Sequence, residues 1–211
     1  MWRNRLLKGT VVAVVAVLAT AEVAPSPAKA AVTVVAKEVG TNVVLTSTGS
    51  LDLRGLTFQS NIVYGSPFIS PRDGAFRLGP NAFTLMDIYA GASGPSSFGA
   101  GRGVNYPTTG SGGPVGVRSL GFVDVPRNYV SGSDFSASAT FAGTFDSLGL
   151  TQGTYVWSWS GATVQGVSLD SVGGDSITLK IVPVPAALPL LGTALAGLGV
   201  IGWRRRRSHG A

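Results

Sequence analysis

The side chains in this chain that could carry out catalysis are mainly aspartates. The candidates for paired acid and base roles are Asp124, Asp134, Asp146, Asp170 and Asp175. Glycoside hydrolysis needs two carboxyl groups about 5 to 9 Å apart across a sugar, but nearly all of these residues stand in turn-like sequence. Cysteine is absent, and the one histidine, His209, follows the last arginine. Because residues 31–182 lack thiol and imidazole groups, we expect a protein that is not an enzyme and uses no cofactor.

Two further patterns could bind a ligand. Asp170 and Asp175 flank a glycine-containing turn that offers two carboxylates to Ca²⁺, but the alternating ligands of an EF-hand loop are missing, so we predict no metal site. Trp157 and Trp159 stand two residues apart and share one face of a strand. Their rings could stack on sugars if that face is exposed, whereas alternating aromatics on a strand are more often part of the core.

Residues 31–181 have the composition of a β-domain. Short runs of branched and aromatic residues alternate with Gly, Ser, Asn and Pro clusters, as in strands separated by turns. The predicted strands are Val32–Ala36, Asn42–Thr48, Ser50–Leu53, Phe83–Tyr89, Val115–Val123, Phe135–Phe141, Thr154–Ser160, Thr163–Ser168 and Ser176–Val182. We predict one all-β domain, an antiparallel β-sandwich or a barrel-like sheet.

Two of these strands show a clear period of two. The aromatic residues of 154–160 share one face, and Ile177, Leu179 and Ile181 share one face of the last strand, so both strands should be half buried. Helical periodicity is weak throughout this region, and Phe145–Leu150 is at most one turn. Between Gly91 and Gly116, where Gly, Ser and Pro dominate, we expect long surface loops.

The positive charge of the chain belongs to its two ends. Residues 31–182 have eight basic and nine acidic residues, although the whole chain has a formal charge of +6 and a pI near 10.1. A basic excess or run on the folded part is the electrostatic signature of nucleic-acid binding, and this segment has neither. We therefore expect no nucleic-acid partner.

Residues 1–30 are typical of a secretory signal peptide. Basic residues precede an apolar stretch, Val11–Ala21, that is too short to span a bilayer comfortably. Ala28 and Ala30 give the small-x-small pattern of a cleavage site, with Ala31 as the first mature residue. This pattern predicts export through the Sec translocon and cleavage by signal peptidase.

The C-terminal segment 182–207 has three parts, followed by a short tail, 208–211. A proline-spaced motif, Val182, Pro183, Val184, Pro185 and Ala186, precedes an uncharged run that extends to Trp203. As a helix, the eighteen residues from Ala186 to Trp203 would reach roughly 27 Å, close to the hydrocarbon thickness of a bilayer. The block Arg204, Arg205, Arg206 and Arg207 then predicts a cytoplasmic C-terminus, with residues 31–181 outside the cytoplasmic membrane.

This three-part layout resembles the PEP-CTERM class of bacterial sorting signals, which are similar in layout to LPXTG signals. Val184 stands where the usual signal has Glu, so the motif resembles the VPLPA-type variant. Val125–Ala162 also resembles a segment common among short PEP-CTERM proteins. The resemblance implies an exosortase-type membrane processing enzyme as a partner, a final location at the cell surface or in the extracellular matrix, and contact with exopolysaccharide.

Three hypotheses follow. The first is an exported and sorted surface protein with a structural or interaction role. The second is a carbohydrate-binding module on the same route, dependent on Trp157 and Trp159. The third is an ordinary protein of the cell membrane, anchored by its C-terminal helix and left intact.

Overall fold

The computed structural model describes residues 31–161, 163–164, 167–168 and 174–183. These residues form fourteen β-strands, one short α-helix, α1 (Phe145–Leu148), and two 3₁₀ turns, Pro71–Asp73 and Ser119–Gly121. The strands are β1 (Val32–Val39), β2 (Asn42–Ser50), β3 (Thr57–Tyr64), β4 (Phe68–Ser70), β5 (Ala75–Leu78), β6 (Thr84–Ala90), β7 (Thr109–Gly112), β8 (Val115–Arg118), β9 (Phe122–Pro126), β10 (Asp134–Ala142), β11 (Gly153–Ser160), β12 (Thr163–Val164), β13 (Val167–Ser168) and β14 (Gly174–Ile181). The predicted all-β class is confirmed in this part of the chain.

Two six-stranded sheets make up the body of the molecule. Sheet one has the order β11-β14-β1-β2-β10-β7, and sheet two has the order β3-β6-β9-β8-β5-β4. The strands β12 and β13 form a separate hairpin. All pairs are antiparallel except β1 with β14, which run parallel, Val32 opposite Ile177 and Ala36 opposite Ile181. This pair corrects the expectation of a purely antiparallel sheet, because the first and last strands of the domain are neighbours.

Sheet one buries one face, as the alternation in its sequence predicts. On β14, Ile177, Leu179 and Ile181 are buried, and on β11 the two tryptophans are buried while Ser158 between them is exposed. In a strand, successive side chains point to opposite faces, so a period of two places one set in the core and leaves the other toward solvent. The half-burial predicted for both strands is confirmed.

Sheet two differs because consecutive residues of its central strands are buried. On β9, Val123, Asp124 and Val125 are all inaccessible to solvent. On β5, the four residues of Ala75–Leu78 are all buried. A strand can bury every residue only when both of its faces are covered, so the centre of this sheet is protected on both sides, whereas its edge strand β3 is largely exposed.

The two sheets share one hydrophobic core. Its centre is aromatic: the ring centroids of Phe76 and Trp157 lie 5.6 Å apart, and Phe98 packs edge-on against both rings. Phe76 lies on sheet two and Trp157 on sheet one, whereas Phe98 comes from the irregular segment between β6 and β7. The edge-to-face geometry suits the charge distribution of the rings and adds to the stabilisation from buried area. The arrangement is a β-sandwich.

The predicted strands agree with the structure unevenly. Val115–Val123 is two strands, β8 and part of β9, separated by a turn at Ser119–Gly121. Leu51, Asp52 and Leu53 of the predicted Ser50–Leu53 strand are irregular. The strands β3, β4, β5 and β7 were not predicted, because their sequences lack the alternation on which the prediction depends.

Segment 91–116 also differs from the loops expected there. Ser93 exchanges two 2.8 Å backbone hydrogen bonds with Ser158 of β11, and Gly99 forms a bridge with Leu150. Phe98 between them is 1 % exposed. This Gly- and Ser-rich segment is thus held against the sandwich in two ways. The side chain of Phe98 is buried in the core, and the backbone of the segment is paired with β11 and with Leu150.

The helix α1 is the single turn expected near Phe145. Thr144 caps it: its hydroxyl accepts from the Ser147 N–H, and the Ser147 hydroxyl accepts from the Thr144 N–H. Phe145 and Leu148 are its buried residues. Among the residues that the structure describes, no helix has the length and apolar composition needed to cross a bilayer.

Candidate functional site

Trp157 and Trp159 lie in the core. They are 3 % and 6 % exposed, and each indole N–H donates to a backbone carbonyl, that of Pro95 at 3.2 Å and that of Asp52 at 2.8 Å, respectively. The hypothesis of a sugar-stacking platform required an exposed face, and this condition is not met. These two rings stabilise the sandwich instead, since burying a large aromatic side chain is strongly favourable.

Asp175, one of the two residues considered for Ca²⁺, is 5 % exposed and accepts backbone hydrogen bonds. Its two carboxylate oxygens accept from the N–H groups of Asp52 and Ser176, both at 2.6 Å. A buried carboxylate bound by peptide donors closes the end of the sheet rather than presenting oxygens to a cation. Asp170 lies outside the described residues, and within them no group of three or more possible metal ligands comes together.

Asp52 is bonded to three parts of the chain at this end of sheet one: β14 through Asp175, β11 through Trp159, and the loop before β10 through Ser131. Its carboxylate forms an ion pair with Arg54 and accepts a 3.2 Å hydrogen bond from the Ser131 hydroxyl. The hydrogen bonds from the Arg54 side chain and backbone hold the pKa of Asp52 below its ordinary value, against the opposing effect of partial burial. The Leu53 N–H donates to the same Ser131 hydroxyl. The arrangement fixes a loop and has the features of a structural network.

Asp124 is fully buried between two arginines on the outer face of sheet two. Nε of Arg118 lies 3.0 Å from its Oδ1, and Nη1 of Arg77 lies 3.5 Å from its Oδ2. The register explains this meeting, because Gly116 stands opposite both Arg77 and Asp124 in the central strands. Burial raises the pKa of the Asp124 carboxyl, and the two guanidinium groups act in the opposite direction.

Arg77 extends this buried ionic triad to the neighbouring loop. Its Nη2 donates to the carbonyls of Gly65 and Ser66 at 3.3 and 2.9 Å, and its guanidinium lies 5.0 Å from the centre of the Phe68 ring. An arginine with several carbonyl partners and an aromatic neighbour is well suited to a buried position. The triad therefore stabilises the outer face of sheet two, and sequence analysis did not predict it.

The remaining candidate aspartates do not form a catalytic pair in the described part of the chain. Asp134 and Asp146 are exposed, at the start of β10 and within α1. Asp124 is bound to two arginines on sheet two, and Asp175 belongs to sheet one. The geometry gives no support to a glycosidase mechanism, which needs two carboxyl groups on either side of an open sugar site.

One cavity combines charged side chains and hydroxyl groups. We call it the Arg72 cavity: it has a volume of about 450 Å³ and is lined by residues 72–74, 92–96 and 118–121 and by the largely buried Trp157. This volume lies in the range of small-molecule sites, about 300 to 1,000 Å³. Arg72, Asp73 and Arg118 supply its charges. Local sequence gives no sign of this site, because its walls come from three separate turns.

Hydrogen bonds between the walls hold the Arg72 cavity open. The Gly91 and Ala92 N–H groups donate to the carbonyl of Gly121, and the Ser119 hydroxyl donates to the carbonyl of Asp73 at 3.2 Å. A Cβ on Gly94 would lie 2.5 Å from Cδ1 of Trp157, so only glycine lets segment 92–96 rest on the indole. The walls are thus fixed before any ligand enters.

The predicted processing sites lie at the limits of the β-domain. Ala31 is exposed directly before β1, and at the other terminus the Val182 N–H donates to the carbonyl of Ala36 at 3.1 Å while Pro183 is exposed. The other residues of these predictions lie outside the described residues: Ala28, Ala30, Val184, Pro185, Ala186 and Arg204–Arg207.

Comparisons of the chain with protein-family models, with curated proteins and with solved structures gave no match.

Proposed function

We propose that the protein is an exported β-sandwich that an exosortase-type membrane enzyme processes at its C-terminus and delivers to the cell surface or extracellular matrix, where it has a structural or interaction role. The observation that carries the proposal is the fit between the folded domain and the two predicted processing segments. The strands run from Val32 to Ile181. The predicted signal cleavage leaves one residue before the first strand, and the sorting motif begins one residue after the last.

The path of the last strand suits attachment through the C-terminus. β14 lies inside sheet one, with β11 on one side and β1 on the other. Its end is held by the hydrogen bond from Val182 to Ala36. Because β1 and β14 are parallel, the chain enters at one end of this pair and leaves at the other. A tether at Pro183 would therefore act on an interior strand, which both neighbours hold by a ladder of hydrogen bonds.

The proposal is tested by mass spectrometry of both termini of the protein isolated from the cells that make it. We expect an N-terminus at Ala31 and a C-terminus that lacks Arg204–Arg207. The change of both Pro183 and Pro185 to Ala should preserve the N-terminal cleavage and leave the arginine block attached. A matched control is Pro80→Ala, a proline far from the motif, which should be processed normally.

The outcomes separate the hypotheses. An intact arginine block on mature, membrane-bound protein would favour the plain membrane anchor and refute processing. A protein that accumulates in the cytosol with Met1–Ala30 attached would refute export. The carbohydrate-binding hypothesis loses the tryptophan platform on which it rested, so any glycan contact must be sought elsewhere on the domain.

A further inference from the structure

The Arg72 cavity is lined by charged side chains of both signs, which can select among ligands by their charge. Its lining includes the basic residues Arg72 and Arg118 and the acidic residue Asp73. The charge of Arg118 is partly balanced by Asp124, and its 3.0 Å hydrogen bond to that carboxylate fixes its position from the outer face of sheet two. Guanidinium groups bind carboxylates through paired hydrogen bonds, which makes a carboxylate the natural partner of this wall.

Asp73 and the serines indicate what else the ligand must carry. Oδ2 of Asp73 already accepts a 2.6 Å hydrogen bond from the Ser70 hydroxyl. The carboxylate would repel a simple anion such as phosphate but can accept further hydrogen bonds from hydroxyl groups. Ser93, Ser96 and Ser119 add three hydroxyl groups to the same walls. A ligand with one carboxylate and several hydroxyls can pair its carboxylate with the arginines and donate its hydroxyl protons to Asp73. An inorganic anion pairs only with the arginines, and a neutral sugar offers no charge to them.

Leu120 gives independent support, because its conformation is unfavourable and its side chain is exposed. It has a φ of 67°, in the left-handed region that non-glycine residues rarely adopt, and it is 92 % exposed at the edge of the cavity. Such conformations cost about 1 kcal/mol or more and cluster at ligand sites. An exposed leucine at the rim of the cavity offers an apolar contact to the face of a sugar ring.

We propose that the Arg72 cavity binds a sugar acid, a saccharide unit with one carboxylate and several hydroxyl groups. Arg72 and Arg118 bind the carboxylate, Asp73 and the serines bind the hydroxyls, and Leu120 contacts the ring. The inference does not depend on the route by which the protein reaches its location. Failure of processing would leave it intact, and failure of binding would leave the proposed processing intact.

The test is a titration of the purified full-length protein with glucuronate, glucose and inorganic phosphate, followed by NMR. The indole N–H resonance of Trp157, assigned by a Trp157→Phe variant, reports on the cavity wall, because this N–H donates to the carbonyl of Pro95. We expect glucuronate to shift it at concentrations about tenfold lower than glucose or phosphate, as expected for one hydrogen-bonded ion pair. Equal responses to glucuronate and glucose, a phosphate response as strong as that to glucuronate, or no response to glucuronate would overturn the proposal.

Variants of the cavity sharpen the test. Arg72→Gln should weaken glucuronate binding about tenfold, whereas Arg127→Gln, at an exposed arginine outside the cavity, should leave it unchanged. Asp73→Asn should reduce the preference for glucuronate over phosphate, because it removes the repulsion of simple anions. Unchanged binding in Arg72→Gln would contradict the proposal.

Leu120→Gly covers the case in which an arginine variant fails to fold. Glycine is favoured at a φ of 67°, so the backbone of the turn is preserved while the contact with the ring is lost. We expect glucuronate to bind more weakly and the melting temperature not to fall. Binding equal to that of the unchanged protein would remove Leu120 from the site and overturn the proposed geometry.

Discussion

The two sheets of this sandwich differ in how their strands are buried. In sheet one, Val43 and Leu45 of β2 are buried and Thr46 and Thr48 are exposed. In sheet two, every residue of 123–125 is buried. A strand buried on one face can place its polar residues toward solvent, but a strand buried on both faces must accommodate polar residues in the interior.

The buried ionic triad is the consequence of this second arrangement. Arg77 and Asp124 point to the outer face of sheet two, yet their side chains are only 3 % and 0 % exposed. A buried charge is tolerated when it is paired and hydrogen-bonded. Oδ1 of Asp124 is hydrogen-bonded to the partly exposed Arg118, and its Oδ2 is in ion-pair contact with the buried Arg77 at 3.5 Å. On sheet one, by contrast, the outer face tolerates threonines with no such partners.

The largest effect should come from removing the central carboxylate of the triad. Asp124→Ala removes the shared partner of the buried Arg77 and the partly buried Arg118, which should lower the free energy of unfolding by about 3 to 5 kcal/mol. Thr46→Ala, on the outer face of sheet one, should change it by less than about 0.5 kcal/mol. Urea denaturation of both variants measures the difference. Similar small losses in the two would show that the outer faces of the sheets are equivalent.

Sequence analysis recovered sheet one better than sheet two, and the burial explains why. The alternation of Trp157, Trp159 and the isoleucines of β14 is visible in the sequence because only one face is buried. On β5 the run Ala75–Leu78 has only four residues, with Arg77 between Phe76 and Leu78. An apolar-charged-apolar pattern is typical of a strand with one face in solvent, so the local sequence contains no signal that Arg77 is buried.

The Arg72 cavity and Phe98 could not be predicted for a different reason. The cavity forms where three turns meet, and the distances between turns depend on how the sheets pack, which local sequence does not encode. Phe98 stands alone in a stretch rich in Gly and Ser, where composition predicts loops. The backbone bridges at Ser93 and Gly99 that hold it against the core arise only in the folded domain.

An intermediate effect should follow from removing the Phe98 side chain, which joins the two sheets. Phe98→Ala leaves a cavity beside Phe76 and Trp157 and should cost about 3 kcal/mol. Phe83→Ala is the matched control, because Phe83 is 83 % exposed and its removal should cost less than about 0.5 kcal/mol. Thermal unfolding monitored by circular dichroism compares the two. A loss as small for Phe98 as for Phe83 would mean that segment 91–101 is not part of the cooperative unit.

The smallest effect concerns pH and contrasts Asp52 with Asp124, whose pKa values shift in opposite directions. Arg54 lowers the pKa of Asp52 below the ordinary value of 3.8. The folded state therefore binds the proton of Asp52 less readily than the unfolded state does. The stability that Asp52 contributes is thus fully present above that ordinary value and is lost as the pH falls through the lowered pKa.

Asp52→Asn should accordingly be less stable than the unchanged protein at pH 7, and the difference should shrink below about pH 4, where the unfolded-state carboxyl becomes protonated. The loss should be no larger than that of a surface ion pair, because Arg54 is largely exposed. Arg54→Gln should reproduce the pH dependence, since it removes the cause of the lowered pKa. Urea unfolding between pH 2 and 7 measures the free energy of unfolding of both variants and of the unchanged protein. If the stability difference between the unchanged protein and Asp52→Asn grew as the pH fell, the pKa of Asp52 would be raised in the folded state, as burial raises that of Asp124, and the prediction would be wrong.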